Sequence, residues 1–100
     1  MRIANAHGFY ELNPFPGCNQ IVVSNHAFIY RGFRGEGKGQ TQHQERLFEA
    51  KRLGYDFVMC TVKSTNEVEK HILEKYKWQR MASFVSKETE NEIEIFGRLL

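Results

Sequence analysis

Four glycines, Gly32, Gly35, Gly37 and Gly39, fall within eight residues, and no other stretch constrains the fold as tightly. Glycine loses more conformational freedom on ordering than any other residue, so this density disfavours helix and strand interiors and marks a loop. Before the loop, Gln20 to Tyr30 contains Ile21, Val22, Val23, Phe28, Ile29 and Tyr30, the β-branched and aromatic content of a half-buried or central strand. After it, Gln40 to Leu53 is built from good helix formers, with Leu47, Ala50 and Leu53 leaning to one side and Gly54 as the terminating glycine. A strand, a glycine loop and a helix in that order set unpaired helix-start N–H groups beside a backbone able to curl round an anion. Phosphate is the expected ligand.

The flanking sequence supplies the other elements. Ile3 to Leu12 has weak strand character, and Asn13-Pro14-Phe15-Pro16-Gly17 separates it from the Gln20–Tyr30 strand as a hairpin. Asp56 to Val62 is a short apolar run that reads as a strand covered on both faces. Ser64 with Glu67 forms a capping-box pattern, and Val68, Ile72 and Tyr76 then recur every four residues as the core face of a second helix ending at Trp78. Met81 to Ser86 and Glu92 to Leu100 are strands around the polar Lys87–Asn91. The order is β-β-α-β-α-β-β, a mixed α/β (α+β) chain with one domain over residues 1–100.

Composition narrows the function. A net charge of +2 leaves no general polybasic surface. Cys18 and Cys60 make no CxxC, and Cys60, inside an apolar strand, reads as buried packing. His7, His26, His43 and His71 are scattered, so no metal site is expected. With no apolar leader and no run of about 18 apolar residues, the expected location is cytoplasmic and membrane association is not expected. The charged residues Glu67, Glu69, Lys70, Glu74 and Lys75 read as a solvated helix face.

Several phosphate-loop readings fail on single residues. Gly32 to Lys38 fits GxxxxGK, but Gly39 stands where a Walker loop has the Mg²⁺-binding Ser or Thr, and no Walker B strand follows. A dinucleotide GxGxxG starting at Gly35 needs glycine at 40 and finds Gln40. Arg31, Arg34 and Lys38 gather at the loop, yet the RGFRG sequence is single and flanked by a strand and a helix, unlike repeated disordered RGG segments. A small ligand is therefore favoured over nucleic acid.

Ile29 to Gly39 resembles the acyl-CoA-binding motif A of the GNAT superfamily of N-acetyltransferases, (R/Q)-x-x-G-x-(G/A), with Arg34, Gly37 and Gly39 in the defining places. Leu73-Glu74-Lys75-Tyr76-Lys77-Trp78 is similar to the family's Y-E-K-L-G-F, and the resemblance extends over about residues 20 to 100. It implies a GNAT-like, mostly antiparallel sheet with two main helices, and an acyl-CoA-dependent N-acyltransferase that moves an acetyl group from acetyl-CoA to a primary amine. The Phe28, Ile29 and Tyr30 backbone would hold pantetheine. Arg34, Gly35, Gly37, Lys38, Gly39 and Gln40 would hold pyrophosphate, and Asn66 would contact the pantetheine arm.

Leu73 stands where many members have a tyrosine that protonates the leaving thiolate, on the Asn66 face of the helix, and Lys77 stands where glycine is usual. Tyr76 reads as a core tyrosine. For the base, the available groups are His26, Glu11 and Tyr30, and histidine's titration range suits His26 best. Only 33 residues precede Arg34, too few for the family's two N-terminal helices, and the acceptor pocket depends on that region. A homo-oligomer completed by a second copy is one expectation. The other is a non-catalytic CoA-binding or protein-interaction module that has lost its acceptor site. The acceptor itself stays open.

Overall fold

The computed structural model describes residues 1–100. The chain runs β1 (Arg2–Ala4), β2 (Gly8–Phe15), β3 (Cys18–Ile29), a 3-10 turn (Arg31–Phe33), α1 (Lys38–Arg52), β4 (Phe57–Lys63), α2 (Glu67–Lys75), β5 (Gln79–Val85) and β6 (Glu92–Leu99). All six strands form one sheet in the order β1-β2-β3-β4-β6-β5. Every neighbouring pair is antiparallel except the central β3–β4 pair. This is the mixed, mostly antiparallel sheet with two helices that the sequence implies. No helix is long and apolar enough to cross a membrane.

The N-terminal stretch expected as one strand is two. Asn5 Oδ1 accepts hydrogen bonds from the N–H groups of His7 (2.8 Å) and Gly8 (3.1 Å), an Asx-type turn that folds β1 back along β2. The divider before β3 is shorter than its two prolines suggest. β2 continues through Pro14 and Phe15, and the hairpin turns on Pro16-Gly17 alone, with Gly17 at φ 79° supplying the left-handed step.

Both helices lie on one face of the sheet. They touch each other through Lys75 Nζ donating to Gln40 Oε1 (2.8 Å) and the His43 ring stacked on Tyr76 at 4.9 Å. Beneath them, alternate strand residues such as Tyr10 and Leu12, Val22, Val58, Cys60, Val62 and Phe96 meet Ala50, Leu73 and Trp78 to make the core. The other face carries no helix. There Ile21, Val23, Phe57 and Met59 are only half-buried and Phe84 and Met81 exposed, so β4 is covered on one face, not on two.

The helix ends follow backbone rules more closely than the helix faces follow hydrophobic spacing. α1 closes with Gly54 at φ 92°, whose N–H reaches Lys51 O (3.0 Å) while Tyr55 N–H reaches Ala50 O (3.2 Å). α2 closes the same way, Lys77 N–H to Glu74 O (3.1 Å) and Trp78 N–H to Leu73 O (3.0 Å), with Lys77 forced to φ 70° in the glycine place. The start of α2 is a correction. Asn66 Oδ1 caps it by accepting from Glu69 N–H (3.2 Å), while Ser64 Oγ instead donates to Glu92 Oε1 (2.6 Å). The inward residues of α2 are Ile72 and Leu73, whereas Val68 is 76% exposed. Leu73 packs in the core cluster with Trp78, and the every-fourth-residue pattern misses this. Those of α1 are Gln42, His43, Arg46 and Ala50; Leu47 only flanks the core and Leu53 is exposed.

A polar network replaces the expected leucine stripe. Arg46, with a side chain only 7% exposed, donates from one terminal nitrogen to Ser24 Oγ (3.1 Å). Its other terminal nitrogen lies 3.3 Å from Glu69 Oε1 and 2.9 Å from His43 Nδ1. Trp78 Nε1 approaches His43 Nε2 at 2.9 Å. Burial, and then the charges of Arg46 and Arg98, push the His43 pKa down to about 3, so the ring is neutral. A neutral imidazole has one lone pair and accepts from only one of these two donors.

Two predictions come from this framework. Lys77→Gly relieves a left-handed backbone at a non-glycine residue and raises stability by about 1 kcal/mol in urea unfolding; a loss of stability contradicts the helix end described. His43 is neutral when folded and titrates near 6.5 when unfolded, so below about pH 6.5 the unfolded chain takes up the proton first. Stability therefore falls as pH drops from about 6.5 towards 3, by roughly 1 kcal/mol per pH unit from this group. Unfolding curves at pH 7, 6 and 5 show that slope, and His43→Gln flattens it; an equal slope in the variant contradicts the assignment.

Candidate functional site

The centre of the sheet is held by a short ladder. β3 and β4 pair at Ile21 with Phe57, Val22 with Val58 and Val23 with Met59, and not beyond. Past that point β3 stays paired with β2 as far as Ile29, and β4 stays paired with β6 as far as Lys63. Each strand follows its outer neighbour and the two diverge. Between them opens a cleft of about 420 Å³ with Ser24 to Ala27 on one bank and Cys60 to Lys63 on the other. Arg46, Asn66 and Glu69 close its helix side.

A bulge shapes the β3 bank. Phe9 pairs with Phe28 and Glu11 with Asn25, so Tyr10 faces two residues, His26 and Ala27. His26 takes φ 53°, a left-handed conformation in a non-glycine residue. The slip brings the two expected catalytic residues together: His26 Nδ1 lies 3.0 Å from Glu11 Oε2. Glu11 also receives Asn13 Nδ2 and an Arg2 guanidinium nitrogen, each at 3.4 Å. Its carboxyl is held below the ordinary range, first by the Asn13 hydrogen bond and then by His26 and Arg2. When a carboxylate accepts from Nδ1–H, the lone pair of the ring is left on Nε2. The side chain of His26 is 65% exposed, so that nitrogen can meet a substrate proton.

At the end of β3 the glycine loop delivers the start of α1. Gly37 is its N-cap at φ 75° with no side-chain cap, and the first helical bond is Thr41 N–H to Gly37 O (3.2 Å). The N–H groups of Lys38, Gly39 and Gln40 therefore have no partner in the helix. Gly35 is also left-handed, at φ 81°, and the space where a Cβ would stand at Gly35 and Gly37 is open. Two left-handed glycines and three free amides fit a pyrophosphate.

The other expected ligand residues divide in role. Arg34 Nε donates to Ile29 O (2.9 Å) and the guanidinium lies 4.8 Å over the Phe28 ring, so it braces the loop. Tyr30 N–H is bonded to His7 O (2.8 Å) and Phe28 O accepts from Gln42 Nε2 (3.2 Å). The Gln40 side chain is tied to Lys75, and Asn66 lines the cleft while capping α2. Lys38 borders a recess of about 20 Å³ beside Asn5 and His7. Leu73 is a correction: it is fully buried in the core and does not line the cleft with Asn66.

Arg46, His43, Ser24 and Glu69 escaped the sequence reading. The one signal for them was the i,i+3 spacing of His43 and Arg46 in α1. Cys60 borders the cleft, but burial pushes its thiol up to about 12, so it stays protonated and is no nucleophile. No three His, Cys, Asp or Glu side chains come together in a group that could hold a metal ion.

Neither a family model nor a curated protein matches the sequence. Solved structures do match. One is a protein provisionally assigned as a phosphinothricin N-acetyltransferase, with TM-score 0.85 and 23% identity over 96% of this chain and 65% of that one. A GNAT-family acetyltransferase from Streptococcus pneumoniae gives 0.76 and 16%, over 94% of this chain and 60% of its own. A Bacillus subtilis acetyltransferase in complex with CoA gives 0.80 and 14%, over 96% and 70%. The chain thus spans a little under two thirds of the first two. At these identities the shared property is architecture, and the chain has the fold of the GNAT acetyltransferases.

Proposed function

We propose that this chain is an acyl-CoA-dependent N-acyltransferase, using acetyl-CoA and a primary amine. The observation that carries the reading is the cleft between the diverging β3 and β4 strands, set beside a glycine-capped helix start with free N–H groups. The amides from Lys38 to Gln40 and the open backbone at Gly35 and Gly37 would take the pyrophosphate of the co-substrate. Its pantetheine arm would run from the end of β3 at Phe28, Ile29 and Tyr30 into the cleft beside Asn66.

His26 Nε2 removes a proton from the acceptor ammonium, directly or through one water, and the Glu11 carboxylate stabilises the imidazolium that forms. The free amine attacks the thioester carbonyl, and backbone N–H groups at the bulge stabilise the oxyanion of the tetrahedral intermediate. The attacking nitrogen gives up its second proton to water as collapse breaks the C–S bond and forms the amide. The thiolate takes its proton from water, because Leu73 is in the core and Tyr76 is stacked on His43. That missing acid favours a second reading, a CoA-binding or protein-interaction module without turnover.

Thiol release from acetyl-CoA over a panel of amines separates the two. In the first reading His26→Ala lowers kcat/KM by about 10²-fold, mostly in kcat, and Glu11→Gln lowers it less. Transfer at equal rates in both variants contradicts the role of the pair. Acetyl-CoA binding with no transfer to any amine supports the module.

A further inference from the structure

Two cavities meet at the β3 bulge. His26 and Ala27 line the central cleft, and the same two residues line a shallow hollow of about 280 Å³ on the helix-free side, walled otherwise by Arg2, Phe9 and Phe28. Phe9 and Phe28 are cross-strand partners with rings stacked at 5.4 Å, and Phe28 is 42% exposed. A guanidinium sits over each ring, Arg2 at 4.2 Å from Phe9 and Arg34 at 4.8 Å from Phe28. The one carboxylate bound to this cluster is Glu11, already shared among Arg2, His26 and Asn13. Two guanidinium groups against one carboxylate leave positive charge in excess. Arg2 is free to supply it, since its side chain is largely exposed and its contact with Glu11 is a single one of 3.4 Å.

Resting on the acyl-transfer reading, we propose that this hollow is the acceptor subsite and that it takes an amine bearing an anionic group and an apolar side chain, of the α-amino acid type. The anion meets Arg2, the apolar part lies along Phe9 and Phe28, and the ammonium is delivered to the His26–Glu11 pair at the mouth of the cleft. A polyamine meets two like charges there and finds no uncommitted carboxylate, so the arrangement rejects it.

The test uses the whole chain, acetyl-CoA, and three acceptors: L-phenylalanine, phenethylamine, which differs from it only by the carboxylate, and spermidine. The expected kcat/KM for L-phenylalanine exceeds that for phenethylamine at least tenfold, with spermidine slowest. Arg2→Ala brings the ratio of the first two towards one, and Arg2→Lys retains part of it; a merely structural arginine would depress both amines together and leave the ratio alone. Phenethylamine or spermidine equal to or better than L-phenylalanine overturns the proposal, as does a ratio indifferent to Arg2→Ala. The melting temperature with and without acetyl-CoA, read on the same samples, separates the failures. A shift with the wrong preference, or with no amine acylated, overturns the acceptor assignment, whereas no shift overturns the acyl-CoA reading beneath it.

Discussion

Three residue pairs tie β3 to β4, and everything of functional interest follows from the ladder stopping there. A parallel pair is stable only while its N–H and C=O groups find partners; beyond Val23 and Met59 each strand finds them on its outer neighbour instead. The separation opens a polar-walled cleft at the middle of a sheet that is otherwise continuous. Arg46 spans its underside, reaching Ser24 on β3 and Glu69 on α2. Burying a guanidinium is costly unless its hydrogen bonds are met, and these are met only in part: Nε has no partner, and His43 accepts from either Arg46 or Trp78. Such a network fixes the relative placement of strand and helices more than it adds stability.

The glycine loop and the cleft depend on each other. β3 must end where it does for the glycines to turn the chain into α1, and α1 must pack across β3 for Gln42 to hold the Phe9 and Phe28 carbonyls, at 3.1 and 3.2 Å. The bulge at His26 lies between them, and its slip of one residue turns two separate side chains into a hydrogen-bonded pair. Glu11 and His26 are 15 positions apart in the chain, and no spacing rule joins them.

Much of the fold was legible because glycine and proline act locally. The loop from Gly32 to Gly39, the end of α1 at Gly54 and the hairpin at Pro16-Gly17 each rest on backbone conformations that few other residues adopt. Less could be read where tertiary contacts decide. The inward face of α1 is polar, so the leucines that mark a core face by hydrophobicity pointed elsewhere. Leu73 packs in the core with Trp78, off the every-fourth-residue pattern, and the break at Asn5 depends on one side-chain oxygen. Of the proposed site, the glycine loop ahead of a helix start was visible from its residues, and His26 and Glu11 were candidates singly. Their pairing, and the placing of Arg2 and Phe9 beside them, needed the register of three strands.

Fold alone does not fix activity, and the solved structures that share this one are longer than the chain. The most direct test is calorimetric titration with acetyl-CoA and with its 3′-dephospho form. A functional cleft and loop give saturable binding of both near one per chain, since the pyrophosphate and pantetheine are common to the two. No heat, and no competition between them at millimolar concentration, would contradict the assignment of the cleft to an acyl-CoA.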